Sequence, residues 1–367
     1  MENKLKPSLR FKGFTDAWEQ RKFQDLLSYE RPDNYIVKSD KYFDVNETPV
    51  LTANKGFILG YTNEKRTYNK PCIIFDDFTL DTKYVDFKFM VKSSAIKILN
   101  AKNGNNLRFS YELLNSTKLE SLGHARHYIS VVQPTDIVVP EISEQIKISN
   151  FYFNLDNLIT LHQRKYKKLI NIKKAMLEKM FPKNGFDVPE IRFKGFTDAW
   201  EQRKLSEVAD YRNGKAHENS INSKGKYIVV NSKFVSTDGN IFKCTNELIE
   251  PLFKNEICFV LSDVPNGKAI AKTLIIPKNG LYSLNQRIAG ITSHSDVYYY
   301  FLNLGMNKNK YFLSFDDGVK QTNLSVSDVM NFEFYYPKYN EQKEIGKMFE
   351  SLDNLITLHQ RKYKINK

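Results

Sequence analysis

An acidic run followed by a lysine is the first feature of this 367-residue sequence that could perform chemistry. Asp77 and Asp81 precede Lys83 in the segment FDDFTLDTKYVDFK. A metal-dependent nuclease uses carboxylate oxygens to bind Mg²⁺ and often a nearby lysine. The spacing is loose, and 26% of all residues are charged, so a solvated strand and turn is the better explanation of the run. A stand-alone Mg²⁺-dependent nuclease is therefore only the alternative hypothesis.

Two histidines, His124 and His127, stand three residues apart in the segment GHARH. A metal pair would need further cysteine or carboxylate ligands, and none follows at a suitable spacing, so we predict no metal site. The three cysteines are far apart in the sequence, which argues against zinc and favours a reducing compartment. Arg126, His127 and Tyr128 offer charge, hydrogen-bond donors and a stacking face, which favours a loop that contacts nucleic acid.

Several common enzyme motifs are missing from the sequence. It contains no GxxxxGK[ST] phosphate loop, no [ND]PP[YF] tetrapeptide of amino-methylating enzymes, and neither GxSxG nor HExxH. The net charge of +13 favours an acidic polymer such as nucleic acid as a partner. The first residues lack the apolar core of a signal peptide, and no apolar run approaches the roughly 20 residues of a membrane span. We therefore expect a cytoplasmic protein that neither spans nor binds a membrane.

Two segments recur in the chain with no change. The lead-in repeat, RFKGFTDAWEQRK, occupies 10–22 and 192–204, an offset of 182 (192 − 10). The helix repeat, LDNLITLHQRKYK, occupies 155–167 and 352–364, an offset of 197 (352 − 155). A proline and then Glu-Gln precede each copy of the helix repeat. The chain is therefore organised as one plan used twice, with unlike stretches between the repeated segments.

The helix repeats lie within long helical patterns. Residues 141–181 contain no proline or glycine, and apolar or semi-polar residues recur every three or four positions. This spacing is close to that of a coiled coil, so we predict that the two helices pack against each other antiparallel. The predicted packing residues are Leu155, Ile159, His162, Tyr166, Leu352, Ile356, His359 and Tyr363.

The unlike stretches combine β-rich runs with short helical patterns. We predict an α/β (α+β) fold in which two similar mixed domains are joined by the helices as a pseudo-twofold repeat. The predicted domains are 1–140, the central helix 141–182, a second domain 183–337 and a C-terminal helix 338–367. The segment VPNGKAIA, with Asn266-Gly267 at its centre, predicts a β-hairpin with a two-residue turn.

This arrangement resembles that of the specificity subunit of type I restriction–modification systems. The lead-in repeat, the Pro…Glu-Gln segment with the helix repeat, LNQRIAGI (Leu284–Ile291) and GVKQTNLSVSDV (Gly318–Val329) carry the resemblance. The resemblance implies a non-catalytic DNA-binding subunit that directs DNA methylation and defence against foreign DNA. It implies two methyltransferase subunits, motor–nuclease restriction subunits and a two-part double-stranded DNA target. S-adenosylmethionine, ATP and Mg²⁺ would be used by the partners, with no cofactor in this chain. The second helix is about 15 residues shorter than such a family member would have.

The predicted DNA contacts are distributed over both unlike stretches. In the first they are Lys55, Arg66, Arg108, Arg126, His127 and Tyr128; in the second they are Lys215, Lys233, Arg287, Lys320, Gln321 and Asn323. Lys55 and Lys233 match between the repeats and suit phosphate. Arg126 with Tyr128, and Gln321 with Asn323, occupy the variable positions of an aligned loop and suit base edges. A coiled-coil adaptor that binds proteins is the remaining alternative.

Overall fold

The computed structural model describes residues 6–39, 41–44, 48–53, 56–102, 104–120, 127–183, 186–264 and 267–365, with side chains in the last helix described to residue 361. The chain forms two compact units, Met1–Thr160 and Leu161–Lys367. Their boundary falls inside one long helix, so it does not coincide with any of the predicted domain boundaries, which remain predictions. None of the described helices is long and apolar enough to cross a membrane.

The first unit contains nine described strands, two short helices and the first half of the long helix. The strands are β1 (Glu19–Lys22), β2 (Leu27–Glu30), β3 (Thr48–Leu51), β4 (Ile58–Thr62), β5 (Cys72–Asp76), β6 (Thr82–Val85), β7 (Met90–Val91), β8 (Ile96–Ala101) and β9 (Asp136–Val139). The helices are α1 (Phe23–Leu26), α2 (Leu107–Ser116) and α3 (Ile142–Lys179). All five residues of β5 are buried, as its continuous apolar run CIIF predicts.

The second unit follows the same order of elements. Its described strands are β10 (Glu201–Lys204), β11 (Ala209–Asn213), β12 (Tyr227–Val230), β13 (Lys243–Thr245), β14 (Ile257–Val260), β15 (Ser262–Asp263), β16 (Thr273–Ile275), β17 (Tyr282–Leu284), β18 (Ile288–Ser293), β19 (Thr322–Asn323) and β20 (Glu333–Tyr336). Its helices are α4 (Ser232–Ser236), α5 (Tyr299–Met306), α6 (Lys310–Leu313), α7 (Val326–Met330) and α8 (Tyr339–Ile365).

The sheets of the two units have matching strand orders. The four-stranded sheets run β2-β8-β5-β6 and β11-β18-β14-β16, and the three-stranded sheets run β4-β3-β7 and β13-β12-β17. In both three-stranded sheets the central strand is antiparallel to one neighbour and parallel to the other. The second unit adds the short pair β15-β19. One α/β topology is therefore used twice, which confirms the predicted fold class.

The lead-in repeats form equivalent strand pairs. β1 pairs antiparallel with β9 and places Glu19 opposite Val139, while β10 pairs antiparallel with β20 and places Glu201 opposite Tyr336. In each unit the lead-in strand thereby holds the last strand before the long helix. The repeated sequence closes each unit by joining its beginning to its end.

A buried ion pair strengthens each closure. Arg10 donates two hydrogen bonds to Glu144, at 2.8 and 2.7 Å, and Arg192 donates two to Glu341, at 2.6 and 2.8 Å. Both glutamates are buried, with side chains 1% exposed. Bidentate pairing compensates for the cost of burying these carboxylates. The Arg of the lead-in repeat and the Glu of Glu-Gln thus form the same contact within each unit.

The glutamine of each Glu-Gln pair positions a helix. Gln145 accepts a hydrogen bond from the Asn106 N–H at the start of α2, and Gln342 accepts one from the Tyr298 N–H at the start of α5. Each glutamine also donates to the carbonyl of the proline five residues before it. A buried amide with both sides hydrogen-bonded fixes its neighbours in a single arrangement. The Pro…Glu-Gln segment, the strand pair of the lead-in repeat and the Arg–Glu pair are together called the frame of each unit.

The predicted packing stripe is the less exposed face of the long helices. Leu155, Ile159, His162 and Tyr166 on α3 and Leu352, Ile356 and His359 on α8 are all half-buried, whereas the side chain of Tyr363 lies outside the described ones. Within the second unit, the Nδ1 atoms of His162 and His359 lie 2.9 Å apart. Lys173 Nζ lies 2.6 Å from Asp353 Oδ1. Because the contact positions rise along α3 as they fall along α8, these segments are antiparallel.

The predicted β-hairpin with a two-residue turn at Asn266-Gly267 is wrong, because the flanking strands β15 and β16 do not pair with each other. Asn266 lies outside the described residues. β14 does pair antiparallel with the next long strand, β16, but residues 261–272 connect them. β15 instead pairs with β19 from much later in the chain. A long-range pairing therefore replaces the local turn that the Asn-Gly sequence indicated.

Candidate nucleic-acid interface

A single turn in the second unit brings most of the predicted contact segments together. This hub turn, 285–287, connects β17 to β18. The N–H of Gln286 donates to the Lys215 carbonyl at 3.0 Å, and the Arg287 carbonyl accepts from the Leu261 N–H at 3.0 Å. The Leu261 carbonyl in turn accepts from the Leu324 N–H at 2.8 Å. Lys215, Arg287 and the strand of Asn323 are therefore adjacent backbone segments, although they are far apart in sequence.

Lys215 lies close to the hub turn because a glycine precedes it. A Cβ atom on Gly214 would lie 2.0 Å from the Asn285 carbonyl oxygen, so only glycine allows this approach. The Lys215 side chain is 63% exposed, with Nζ 2.9 Å from Glu250 Oε2. This hydrogen bond lowers the pKa of Glu250, with Arg212 adding to the effect. Lys215 is thus an oriented cation at the surface.

Gln321 and Asn323 both face solvent beside β15. β15 and β19 pair with Ser262 opposite Asn323. Gln321 Nε2 donates to Ser262 Oγ at 2.7 Å and lies 3.3 Å from Asn323 Oδ1. Because neighbouring amides hold each other, the two side chains present an ordered set of donors and acceptors. Such amides match the N6 and N7 edge of adenine.

Arg287 is exposed and has a left-handed backbone, with φ of 68°. A residue with a Cβ atom is strained in this region, and such strain persists where the surrounding structure imposes it. The hub hydrogen bonds described above impose it here. Arginine therefore stands at a position where glycine would be less strained.

The two other predicted contacts of the second unit are also exposed. Lys233 lies on α4, which follows β12, and the Val230 carbonyl at the end of β12 accepts from the Asn285 N–H at 3.1 Å. Lys320 precedes Gln321, and its N–H donates to Asp317 Oδ1 at 3.0 Å. Backbone hydrogen bonds from Lys320 and Val319 lower the pKa of Asp317, so this turn is stabilised by an ionised carboxylate.

In the first unit, fewer predicted contacts lie at the surface. Arg66 is exposed between β4 and β5. Lys55 and Arg126 lie outside the described residues, so their contacts stay predictions.

The predictions for His127 and Tyr128 are corrected, because both residues are fully buried. The Tyr128 ring packs against Tyr29 and Phe75, and its burial raises the pKa of the phenol. The Tyr128 N–H donates to Asp77 Oδ1 at 2.9 Å, and the His127 ring bonds the Asp77 carbonyl. Neither ring offers a stacking face to a base. Both residues belong to the core of the first unit.

The prediction for His127 and Tyr128 fails because it aligns the loops of the two units at the wrong offset. The strands β9 and β20 correspond at an offset of 197 (333 − 136). The predicted pairing of Gly123 with Gly318 used an offset of 195 (318 − 123). At the offset of the strands, His127 corresponds to Leu324, and both are buried, at 0% and 5% exposure. Arg126 then corresponds to Asn323, the exposed residue of β19.

Arg108 is also corrected, because its guanidinium group is engaged within the first unit. It pairs with Glu112 and Asp156, packs on the rings of Tyr84 and Tyr111, and is 16% exposed. It is the second residue of α2 and holds the long helix through Asp156. In the second unit the second residue of α5, Tyr300, donates to Asp353, the counterpart of Asp156. Arg108 is therefore a residue of the frame.

The acidic run around Asp77 has a structural role. Asp77 is buried and lies 3.1 Å from Lys97 Nζ. Asp76 Oδ1 accepts from the N–H groups of Phe78 and Thr79 and so shapes a turn. Within the described ranges there is no group of three or more histidine, cysteine or acidic side chains that could hold a metal ion. No described geometry therefore favours the nuclease alternative.

Two further residues, absent from the predicted set, lie against the predicted contact residues. Ser262 orients Gln321, and Gln286 of the hub turn bonds Glu218. Ser262 carries no local signal, because its role depends on the long-range pair β15-β19. Gln286 lies inside LNQRIAGI, a block that the resemblance already marked, so that block contained a usable signal.

The duplicated fold can be compared with known proteins. The family model for the type I restriction modification DNA specificity domain matches residues 15–171 and 197–367. The chain belongs to this family of specificity subunits, which confirms the resemblance. Its role is DNA sequence specificity within a restriction–modification complex, and it is not itself an enzyme.

Known proteins similar to the chain carry the same description. The EcoR124I/EcoR124II type I restriction enzyme specificity subunit of Escherichia coli is 27% identical over 358 residues, which cover 90% of this chain and 85% of the relative. The MjaVIII specificity subunit of Methanocaldococcus jannaschii is 23% identical over 94% of this chain and 88% of the relative. The crystal structure of the S subunit from M. genitalium has a TM-score of 0.70 at 13% identity and covers 98% of this chain and 95% of that one.

Proposed function

We propose that each unit reads one half of a two-part, asymmetric double-stranded DNA target. The observation that carries the proposal is one topology built twice on the same repeated frame, with different exposed residues. Where the second unit exposes Asn323 beside Gln321, the first unit has Arg126 at the corresponding position. Different side chains on equivalent loops would select different base pairs.

In the second unit, the hub turn and β19 would enter the DNA groove. Gln321 and Asn323 would contact base edges, since their amides are ordered by Ser262 and by each other. Lys215, Lys233, Arg287 and Lys320 surround the same segments and would contact phosphates or guanine. Phosphate contacts set the register of the protein on the duplex, and base contacts provide the specificity.

In the first unit, the residues proposed to contact DNA are Arg66, Lys55 and Arg126. Lys55 matches Lys233 between the repeats and suits phosphate, while Arg126 suits the O6 and N7 atoms of guanine. His127, Tyr128 and Arg108 are not part of it, because they belong to the core and frame.

The long helices would set the separation between the half-sites. α3 contains 38 residues, which is about 57 Å at about 1.5 Å per residue. Half-sites one DNA turn apart are separated by about 34–36 Å. A helix of this length is therefore longer than the separation of two half-sites one DNA turn apart.

The repeated surfaces suit the docking of two methyltransferase subunits, one for each lead-in and helix repeat, with motor–nuclease restriction subunits joining the full complex. Those partners would use S-adenosylmethionine, ATP and Mg²⁺, and this chain would need no cofactor of its own. Because the DNA of the cell is the target, we place the complex in the cytoplasm.

Co-expression with the methyltransferase subunit and mapping of methylated bases tests the proposal. The unchanged chain should direct methylation to one two-part sequence. Gln321→Ala should relax or change one half of that sequence and leave the other half intact. Gln24→Ala is the control, since this exposed glutamine lies on α1, outside both repeats and away from the predicted contacts in sequence, and it should change neither half. Methylation that stays identical in Gln321→Ala, at unchanged affinity, would remove Gln321 from the interface.

A further inference from the structure

A cleft of about 510 Å³ opens on the first unit, where β2 and β5 end and β8 begins. It is lined by Arg31, Asp33, Phe78 and Ile129, together with residues 93–95. All four of these side chains are exposed, Phe78 by 60% and Ile129 by 40%. An aromatic and an aliphatic side chain that stay exposed in one cleft indicate a binding surface.

The base of this cleft has a fixed shape. Lys97 Nζ lies 3.1 Å from Asp77 Oδ2, and the two side chains are 12% and 6% exposed. The second carboxylate oxygen of Asp77 accepts from the Tyr128 N–H at 2.9 Å. Because buried charges and hydrogen bonds hold the base, a ligand in the cleft would meet an ordered surface.

The strand registers show which part of the second unit corresponds to the cleft. Leu27 on β2 lies opposite Ala101 on β8, and Ala209 on β11 lies opposite Ser293 on β18. Leu27 and Ala209 are 182 positions apart (209 − 27), which is the offset of the lead-in repeat. β8 and β18 therefore correspond at an offset of 192 (293 − 101), and residues 93–95 correspond to the hub turn.

A backbone hydrogen bond repeats at this place in both units. In the first unit the Asp77 N–H donates to the Ala95 carbonyl at 3.1 Å, and in the second the Leu261 N–H donates to the Arg287 carbonyl at 3.0 Å. Ala95 and Arg287 are again 192 positions apart (287 − 95). The cleft therefore lies where the second unit gathers its proposed DNA contacts around the hub turn.

The side chains at this common place differ between the units. Phe78 directly follows Asp77, as Ser262 follows Leu261, so the two residues correspond. The first unit thus exposes an aromatic ring where the second has the hydroxyl that orients Gln321. An aromatic ring offers an apolar contact instead of ordering an amide. The base-pair feature that suits it is the C5-methyl group of thymine in the major groove.

We propose that this cleft receives base pairs of one half-site and that Phe78 determines specificity there by contacting the C5-methyl group of a thymine. The inference rests on the proposed function, in which each unit reads one half of the target. Arg31, exposed directly after β2, supplies a cation for a neighbouring phosphate or guanine. Asp33 can accept a hydrogen bond from the amino group of cytosine.

Uracil substitution tests the proposal on the complex of the full chain with its methyltransferase subunit. Once the methylated sequence is mapped, each thymine is replaced in turn by uracil, which lacks the C5-methyl group. With the unchanged chain, uracil at one position of one half-site should lower the affinity about fourfold, the effect of one methyl group lost from an apolar contact. Phe78→Ala should weaken binding of the thymine duplex about fourfold or more and should not distinguish thymine from uracil there. Fluorescence anisotropy measures both affinities.

Phe153→Ala is the matched control, because this phenylalanine is 49% exposed on α3 and does not line the cleft. It should keep the full preference for thymine. Phe78→Leu retains an apolar side chain and should keep part of that preference. If Phe78→Ala does not fold, Phe78→Ser replaces it, since serine is the residue of the second unit at this position.

A Phe78→Ala complex that still prefers thymine over uracil at every position overturns the proposal, even if its overall affinity is lower. A target in which no uracil substitution lowers the affinity of the unchanged complex overturns it as well. Both results leave the proposed function standing. Failure of the unchanged chain to direct methylation to a two-part sequence would instead overturn the proposed function, and this inference with it.

Discussion

The two tryptophans of this chain occupy identical sequence segments but different environments. Trp200 is 3% exposed and contacts Phe181 and Phe301, whereas Trp18 is only half-buried and contacts Phe109. The strand pairing and the Arg–Glu pair around them are the same in both units. The difference arises from the end of α3, which covers the second unit alone. A repeated sequence therefore fixes a frame, while its burial depends on elements outside the repeat.

The loops before the long helices differ in the same way. At the offset of 197, His127 and Leu324 are both buried, but the first unit buries Tyr128 where the second unit exposes Ser325. The equivalent frames hold unlike surfaces. Such an arrangement allows the reading surface to change while the frame, and whatever docks on it, stays constant.

The largest expected effect separates the two tryptophans. Trp200→Ala should lower the free energy of unfolding by about 4 kcal/mol, because it removes a buried ring from the core. Trp18→Ala should cost about 2 kcal/mol or less, since its ring is already partly exposed. Urea unfolding followed by circular dichroism measures both, with Trp200→Phe as the control that retains an aromatic ring. Equal losses of stability for the two alanine variants would mean that Trp18 and Trp200 are equally buried.

The next effect tests whether the frames are equivalent. Arg192→Ala leaves the Glu341 carboxylate buried without its partner and should lower the free energy of unfolding by about 3 kcal/mol. Arg10→Ala should destabilise the first unit in the same direction. Arg21→Ala removes an exposed pair with Glu19 and should change stability by less than about 0.5 kcal/mol. Thermal unfolding of the three variants ranks them, and an Arg192→Ala protein as stable as Arg21→Ala would refute the closure.

Replacing Arg287 sharpens the assignment of the reading surface. Arg287→Gly relieves a left-handed backbone, so stability should stay equal or rise by about 1 kcal/mol. The affinity for the cognate DNA should fall by about 1–3 kcal/mol, measured by fluorescence anisotropy with the methyltransferase complex. Asp238→Gly is the control, because Asp238 also has a positive φ, of 51°, but lies away from the hub turn. Unchanged affinity in Arg287→Gly would exclude this arginine from the interface.

The smallest effect is expected at Tyr128. Its hydroxyl is buried and has no hydrogen-bond partner among the described residues, so Tyr128→Phe should alter stability by less than about 1 kcal/mol. The methylated sequence should be unchanged, because the ring does not reach the surface. Methylation mapping checks this, and altered specificity in Tyr128→Phe would restore the residue to the reading surface. Tyr29→Phe, on the ring packed against it, serves as the comparison.

Local periodicity predicted the regular elements well. The helix predicted at 141–182 lies at Ile142–Lys179, because a stripe repeating every three or four residues has one low-energy conformation. The stretch KYIVVNSKFV is a β-rich run, yet it divides into β12 and α4. Asn231 caps the helix by accepting from the Phe234 N–H, a signal that the apolar run obscured.

The sequence by itself determined the internal duplication, the α/β class, the paired helices and the family, because identical segments and helical periodicity are local properties. Only the tertiary structure decided which candidate residues meet. The hub turn gathers Lys215, Leu261 and Leu324 through backbone hydrogen bonds between distant segments, and no local pattern encodes such contacts. The same holds for burial. Trp18 and Trp200 share their neighbours in sequence, but the end of α3 packs against Trp200 and buries it, whereas Trp18 stays partly exposed.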